Sequence, residues 1–283
     1  MKDFTDKVGA ITGAGSGIGR AVAIELAQRG CHLSLSDIDE PALATTARLA
    51  ERAGAVRVFA TPVDVADRSS VEVWADPVAD EHGSVNLIVN NAGVALTATV
   101  DSMSIESFEW LMGINFWGVV YGTKAFLPHL KAAGEGHVVN ISSVFGLMGI
   151  PTQSAYNSAK FAVRGFTEAL RVELDLEDCG VSATSVHPGG IKTNIARRGR
   201  YEGVEIMTEA DREQAGEEFE RLARTSPERA AEIIVRAIEK DKRRAMVGPD
   251  SHVFNMAARL PPSAYQWVLR TAGRRAEQRL DND

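Results

Sequence analysis

The chain has 283 residues, 45% hydrophobic and 24% charged, the proportions of an ordinary globular protein with length for one large or two modest domains. Its 31 basic and 38 acidic residues leave a formal charge of −7, which argues against a general nucleic-acid binder. Two cysteines without metal-ligand spacing, no apolar signal stretch at the N-terminus and no run of ~18 apolar residues predict a cytoplasmic protein with no disulfide framework, no metal and no membrane span.

Short β-rich runs stand at residues 8–12 (VGAIT), 32–37 (HLSLSD), 56–64, 86–93, 136–143 and 181–189. Between them, segments of helical spacing cover 20–29, 41–53, 69–82, 105–131 and 156–179. Strands that alternate with helices predict a parallel sheet covered on both faces, and right-handed crossovers make it a Rossmann-type doubly wound α/β fold. The nearly continuous apolar runs fit strands buried on both sides.

After Gly190 the pattern changes. Residues 193–224 are charge-laced without a strand signal, so a loop with one or two helices is expected there, a candidate lid over substrate. Ser226-Pro227 supplies a cap and first-turn proline for a helix to about Lys240, and a last short strand is expected at 245–247. The tail from Pro249 contains Pro261-Pro262 and a basic helical stretch, YQWVLRTAGRRAEQRL, whose Tyr265, Trp267, Val268 and Leu269 call for an apolar partner. The expected organisation is a catalytic domain over residues 1–250, with 193–224 as its lid, and a helical extension over 251–283. The charge runs at 217–220 and 240–244 read as solvated.

TGAGSGIG, Thr12 to Gly19, follows the first strand and opens the first helix, where a dinucleotide pyrophosphate would meet unpaired helix N–H groups. Gly13 and Gly17 permit the tight turn and Gly19 lets the helix approach the strand. Asp37, twenty residues after Gly17, ends the second strand. A carboxylate there accepts from the ribose hydroxyls and repels a 2′-phosphate. Ser16 before Gly17 and Ile38 after Asp37 offer no compensating cation, so NAD is expected over NADP. A methyltransferase using S-adenosylmethionine can share both features, so the distinction lies downstream.

In SAYNSAK, Tyr156 and Lys160 lie four residues apart and share a helix face. Unperturbed, they titrate at about 10 and 10.4, too high for proton chemistry near neutrality. Thr12-Gly13-x-x-x-Gly17-x-Gly19, Asp64-Val65, Asn90-Asn91-Ala92-Gly93, Asn115, Ser143, Tyr156-x-x-x-Lys160 and Pro188-Gly189 occur in that order. The ordered set resembles the short-chain dehydrogenase/reductase family in its single-domain branch, over roughly residues 5–250. HPGGIKTNI, with the extra Gly190, resembles a sub-branch often labelled acetoin-dehydrogenase-like.

The resemblance implies that Tyr156 is the general acid/base, with Lys160 and the nicotinamide charge lowering its pKa and Lys160 also binding the nicotinamide ribose. Ser143 would hydrogen-bond the substrate oxygen, with Ser142 a second choice pointing the other way, and Asn115 would kink its helix and hold a water leading to the lysine. Gly13, Ser16, Gly17, Ile18 and Gly19 would receive the pyrophosphate, and Asp64 and Val65 the adenine. Asn91, Ala92 and Gly93 would approach the adenosine ribose, with Asn90 bracing the sheet. Pro188 and Gly189 would form the nicotinamide floor, while Ile191 and Thr193 bind its carboxamide. His187 is expected to satisfy backbone groups rather than react.

The implied function is hydride transfer between NAD and a small apolar secondary alcohol or ketone, in a homodimer or homotetramer packed through the 105–131 and 156–179 helices. The pocket would be lined by 95–97, 145–151 and the 193–224 segment. A catalytically silent dinucleotide sensor is the principal alternative, and a methyltransferase the lesser one.

Overall fold

A computed structural model describes residues 1–203, 217, 221, 223–259 and 264–271. Its strands are β1 (Val8–Thr12), β2 (His32–Asp37), β3 (Val58–Pro62), β4 (Leu87–Asn90), β5 (Leu96–Thr97), β6 (Gly136–Ile141), β7 (Val181–Pro188), β8 (Arg200–Tyr201) and β9 (Arg244–Val247). The helices are α1 (Gly17–Ala27), α2 (Glu40–Ala53), α3 (Arg68–His82), α4 (Ile105–Met112), α5 (Gly118–Ala132), α6 (Ser154–Glu177), α7 (Pro227–Glu239) and α8 (Pro249–Ala257). Seven strands form one parallel sheet in the order β3-β2-β1-β4-β6-β7-β9, the doubly wound fold that the strand–helix alternation predicts. The order reverses between β1 and β4, which opens a crevice at their C-terminal ends.

Alternating side chains assign the sheet's two faces. Ile11 of β1 and Leu33 and Leu35 of β2 pack with Val22 and Leu26 of α1, Leu43 of α2 and Ile234 and Ile238 of α7. Val8 and Ala10 of β1 and Ile88 of β4 face the other way, against Trp74 of α3, Phe126 of α5 and Leu170 of α6. Trp74 and Phe126 meet edge to face at 4.9 Å, and the indole N–H donates to Ser34 Oγ across the layer. Sequence-local caps start several helices: Asp39, Asp67, Ser104 and Ser226 each accept a backbone N–H of the following first turn.

Four details depart from the sequence expectation. Strand 56–64 is reduced to β3, largely exposed, because it is the sheet's edge and has a neighbour on one side only. The segment expected to lack strand contains β8, which pairs with β5 in a separate two-stranded sheet; two residues are too few to show a period. The 240–244 charge run is ion-paired rather than merely solvated: Arg244 meets Glu168, Arg243 meets Asp175, and Asp241 takes both Arg171 and Ser182. Helix α8 opens at Pro249, two residues ahead of the expected start of the helical extension at 251. Of the proposed lid, residues 204–216, 218–220 and 222 lie outside the described residues, as does most of the 217–220 run.

The long 105–131 segment is broken, as expected around Asn115, by a π turn over Gly113–Trp117 between α4 and α5. Deeper in the sheet, Asn90 Nδ2 donates to Asn140 Oδ1 at 2.8 Å and contacts Thr123 Oγ1, and Asn140 Nδ2 donates to Thr167 Oγ1 at 3.0 Å. This polar chain ties β4 and β6 to α5 and α6. Asn90 thus braces the sheet, as expected. It requires a glycine at 122, since a methyl there would overlap Asn90 Oδ1. Gly122→Ala should therefore cost about 1–3 kcal/mol from overpacking and lower Tm by several degrees, measured by thermal unfolding. Wild-type stability would contradict this packing.

Candidate active site

The crevice at the C-terminal ends of β1 and β4 gathers nearly every candidate residue. Thr12, the last residue of β1, accepts at its hydroxyl from the N–H groups of Asn91 at 3.0 Å and Ala92 at 3.1 Å. Asn91 returns the link through Nδ2 to the carbonyls of Thr12 and Gly13, at 3.0 and 3.1 Å. Gly13 and Gly17 have φ of 63° and 53°, where a side chain is strained. A Cβ on Gly13 would lie 2.8 Å from Ala92 Cα, and one on Gly19 2.5 Å from Asn91 Nδ2. Ser16 stands extended at the α1 N-cap without a side-chain bond to the first turn, so these helix N–H groups remain available to an anion. Ile18 packs inward on the core. This glycine cradle, with uncapped N–H groups at its base, fits a pyrophosphate.

Asp37 Oδ2 accepts from Gly15 N at 2.8 Å and Oδ1 from Asp39 N at 3.0 Å, so the carboxylate is fixed beside the glycine turn. The expectation of no cation nearby is corrected by two arginines. Arg20 donates to Gly15 O, and Arg198, 159 residues away in sequence, reaches Asp39 Oδ2 at 3.5 Å. Asp64 Oδ1 accepts from Ala66 N, and Val65 is buried against Gly118. Pro188 ends β7, Gly189 N donates to Val247 O at 2.9 Å, and buried Ile191 bridges to Thr225. Thr193 folds over the cradle: its methyl lies 3.1 Å from where a Cβ of Gly17 would stand.

Ser143, Tyr156 and Lys160 meet where β6 ends beside the first turns of α6. Lys160 is 3% exposed; its ammonium donates to Ile141 O at 2.9 Å and lies 5.5 Å from the Tyr156 ring centroid. Burial pushes the ammonium down to about 8. Burial likewise pushes the Tyr156 phenol up to about 12, against an opposing hydrogen bond from Ser143. The expected lowering of Tyr156 is therefore not a property of the protein alone, because desolvation outweighs the local donors. Ser143 Oγ accepts from Phe145 N, whereas Ser142 Oγ donates to Lys160 O at 2.8 Å on the opposite side, supporting the helix as strand alternation requires.

Asn115 is fully buried and closes both hydrogen bonds of Val94: Oδ1 accepts from Val94 N at 2.8 Å and Nδ2 donates to Val94 O at 2.9 Å. The side-chain amide thereby holds the π turn against the strand end. Gly93 fills the gap between this amide and the lysine: a Cβ on it would stand 3.2 Å from Asn115 Oδ1 and 3.7 Å from Lys160 Nζ. His187 Nδ1 donates to Ser143 O at 3.1 Å and Nε2 faces Ser185 Oγ at 3.1 Å. Burial lowers the imidazole to about 4, so it is a neutral brace, as expected.

Sequence reasoning named the segment after Thr193 as a lid but missed the contacts that anchor it across this crevice. Beyond Thr193 and Arg198, Arg200 stacks its guanidinium 3.6 Å over Trp110, and Glu202 accepts from Ser104 N, Ser104 Oγ and Ser107 Oγ at the start of α4. These bonds hold the Glu202 carboxyl below its ordinary range. The partners are about 90–100 residues apart, and no local pattern announces them. The wall at 145–151 is fixed by Asn157, which donates to Phe145 O and Met148 O and accepts from Ile150 N. A cavity of ≈490 Å³ lies between Gly149, Ile150, Pro151 and Ser154 and the tail helix over 264–271, through Gln266, Leu269 and Arg270.

The lysine's depressed pKa carries a stability consequence. Between about 8 and 10.5 the folded protein binds fewer protons at Lys160 than the unfolded chain. The burial penalty is therefore complete below pH 8 and fades as pH rises to 10.5. Lys160→Met should raise the Tm of the cofactor-free protein at pH 7, with the gain shrinking toward pH 10.5 in parallel thermal melts. A variant less stable at pH 7, or a gain independent of pH, would contradict this balance.

A sequence profile described as short chain dehydrogenase matches residues 7–202. The chain is 48% identical over 270 residues to "Putative oxidoreductase SadH" of Mycobacterium tuberculosis, covering 95% of this chain and 96% of that one. It superposes with a TM-score of 0.83 and 31% identity on a short chain dehydrogenase/reductase from Burkholderia phymatum in complex with NAD, covering 94% of this chain and 96% of the other. An alcohol dehydrogenase from the archaeon Thermococcus sibiricus, complexed with 5-hydroxy-NADP, matches with a TM-score of 0.71 and 28% identity over 85% of this chain and 95% of that one. The chain belongs to the short-chain dehydrogenase/reductase family of oxidoreductases.

Proposed function

We propose that this oxidoreductase interconverts a small apolar secondary alcohol and its ketone with NAD(H), using Tyr156 as general acid/base. The observation that carries the reading is the meeting of Ser143, Tyr156 and a buried Lys160 at the end of β6, beside the glycine cradle. The nicotinamide supplies the hydride acceptor, and its oxidised form brings a positive charge. Ser143 Oγ orients the substrate oxygen. In oxidation the phenolate of Tyr156 takes the hydroxyl proton, and in reduction the phenol returns it. Lys160 stabilises the phenolate and binds the nicotinamide ribose, while Asn115 holds a water leading to the lysine. Gly13, Ser16, Gly17, Ile18 and Gly19 receive the pyrophosphate, with Asp64, Val65, Asn91, Ala92 and Gly93 around the adenosine. Pro188, Gly189, Ile191 and Thr193 hold the nicotinamide.

A silent sensor has no use for a lysine buried at this cost, and a methyltransferase none for the serine–tyrosine–lysine set. The reading extends to organisation. Residues 1–250 form the catalytic domain and 193–224 the lid, pinned at Arg200–Glu202. Residues 251–283 form the helical extension, of which Gln266, Leu269 and Arg270 line the pocket. The exposed Trp117, Phe161, Val172 and Leu176 on the helical faces favour a homodimer or homotetramer. No helix among the described residues is long and apolar enough to cross a membrane, compatible with a cytoplasmic enzyme.

Two measurements test the chemistry. Tyr156→Phe should retain fold and NAD binding while losing at least ~100-fold in kcat, the scale of general acid/base catalysis; near-normal turnover on a true substrate would refute the mechanism. For the cofactor, a 2′-phosphate would face Asp37 in a partly buried site, where repulsion at ~4 Å is about 4 kcal/mol before relaxation, and Arg198 offsets part of it. The kcat/KM ratio should favour NAD by at least about tenfold, and Asp37→Ser with Ile38→Arg should move it toward NADP. A wild-type enzyme that prefers NADP would remove Asp37 from the ribose.

A further inference from the structure

The nicotinamide floor is held from below by a residue beyond the 7–202 segment that defines the family match. Asp250 stands in the first turn of α8, at the C-terminal end of β9. Its Oδ2 accepts from Gly190 N at 2.7 Å. Its carboxylate occupies the space that a side chain at position 189 would need. On the other side, a Cβ on Gly248, whose φ is 94°, would lie 2.7 Å from Asp250 Oδ1. Among the described residues, Asp250 Oδ1 is itself buried without a hydrogen-bond partner. A carboxylate oxygen in that condition is costly.

The same helix also reaches the other wall. Phe254 packs against Phe145 at 6.5 Å between ring centroids, and Phe145 meets Tyr156 edge-on at 6.1 Å. One short helix therefore touches the floor through Asp250 and the wall beside the tyrosine through Phe254. A rigid tie from a helix to a loop amide holds a ligand-facing backbone more firmly than the loop's own bonds.

We propose that Asp250 is a positioning residue for the nicotinamide half of the cofactor, fixing the Gly189–Gly190 peptide so that the floor is formed before the cofactor arrives. This rests on the assignment of Pro188–Ile191 to the nicotinamide, and it moves the boundary of the active site into α8. Removing the carboxylate leaves Gly190 N without its acceptor and opens a void under Gly189.

The test compares NADH with ADP-ribose, which lacks the nicotinamide, by calorimetry on the full chain. Asp250→Ala should weaken NADH about tenfold, the worth of one buried N–H left unpaired, while leaving ADP-ribose within about twofold. Asp250→Asn, which keeps an acceptor for Gly190, should restore NADH binding to within about threefold. Gly189→Ala should be tolerated better in the Asp250→Ala background than alone, by thermal unfolding. Equal weakening of NADH and ADP-ribose, which marks general damage, would overturn the proposal, as would unchanged NADH binding in a folded Asp250→Ala. A wild-type protein that binds neither ligand would instead refute the cofactor assignment itself.

Discussion

A buried ammonium with one backbone carbonyl for company is the constraint around which this structure is arranged. Lys160 leaves water almost completely, and its bond to Ile141 O returns only part of the lost hydration. The surrounding elements are ordered to hold it there. Ser142 anchors the lysine's own carbonyl, Gly93 leaves room beside the ammonium, and Asn115, within the π turn, secures the loop after β4 that carries Gly93. Fold and site thus share one set of bonds.

The electrostatics follow from that burial. In the protein alone, desolvation pulls lysine and tyrosine toward their neutral forms, the lysine down to about 8 and the phenol up to about 12. Neither value suits catalysis near neutrality. On the proposed function an added positive charge completes the site, and an oxidised nicotinamide held by the glycine cradle, Asp37 and the Pro188–Thr193 floor would supply it. Cofactor binding would then select the pH at which Tyr156 exchanges a proton. The same desolvation that weakens the free protein strengthens the interaction once the charge arrives.

How much of this was legible follows from the distance over which each interaction acts. The doubly wound sheet, the glycine turn and the Tyr-x-x-x-Lys helix were readable because strands, turns and one-turn pairs leave local signatures. Ser142 and Ser143 were separated by alternation alone. By contrast, Glu202 on Ser104, Arg198 on Asp39 and Asp250 on Gly190 join positions far apart in sequence, and a two-residue strand such as β8 has no period. The cofactor-free phenol stands high because a helical spacing shows who stands beside it but not how much water remains.

The central claim is that the oxidised cofactor, rather than Lys160 alone, brings Tyr156 into its working range. Its direct test is the ultraviolet titration of tyrosinate in the wild-type protein minus that of Tyr156→Phe, in the absence of cofactor, with NAD and with NADH. Tyr156 should titrate at about 12 without cofactor, fall by at least ~2 units with NAD, and change less with NADH. A phenol already titrating near neutrality in the free protein, or one unmoved by NAD, would contradict it.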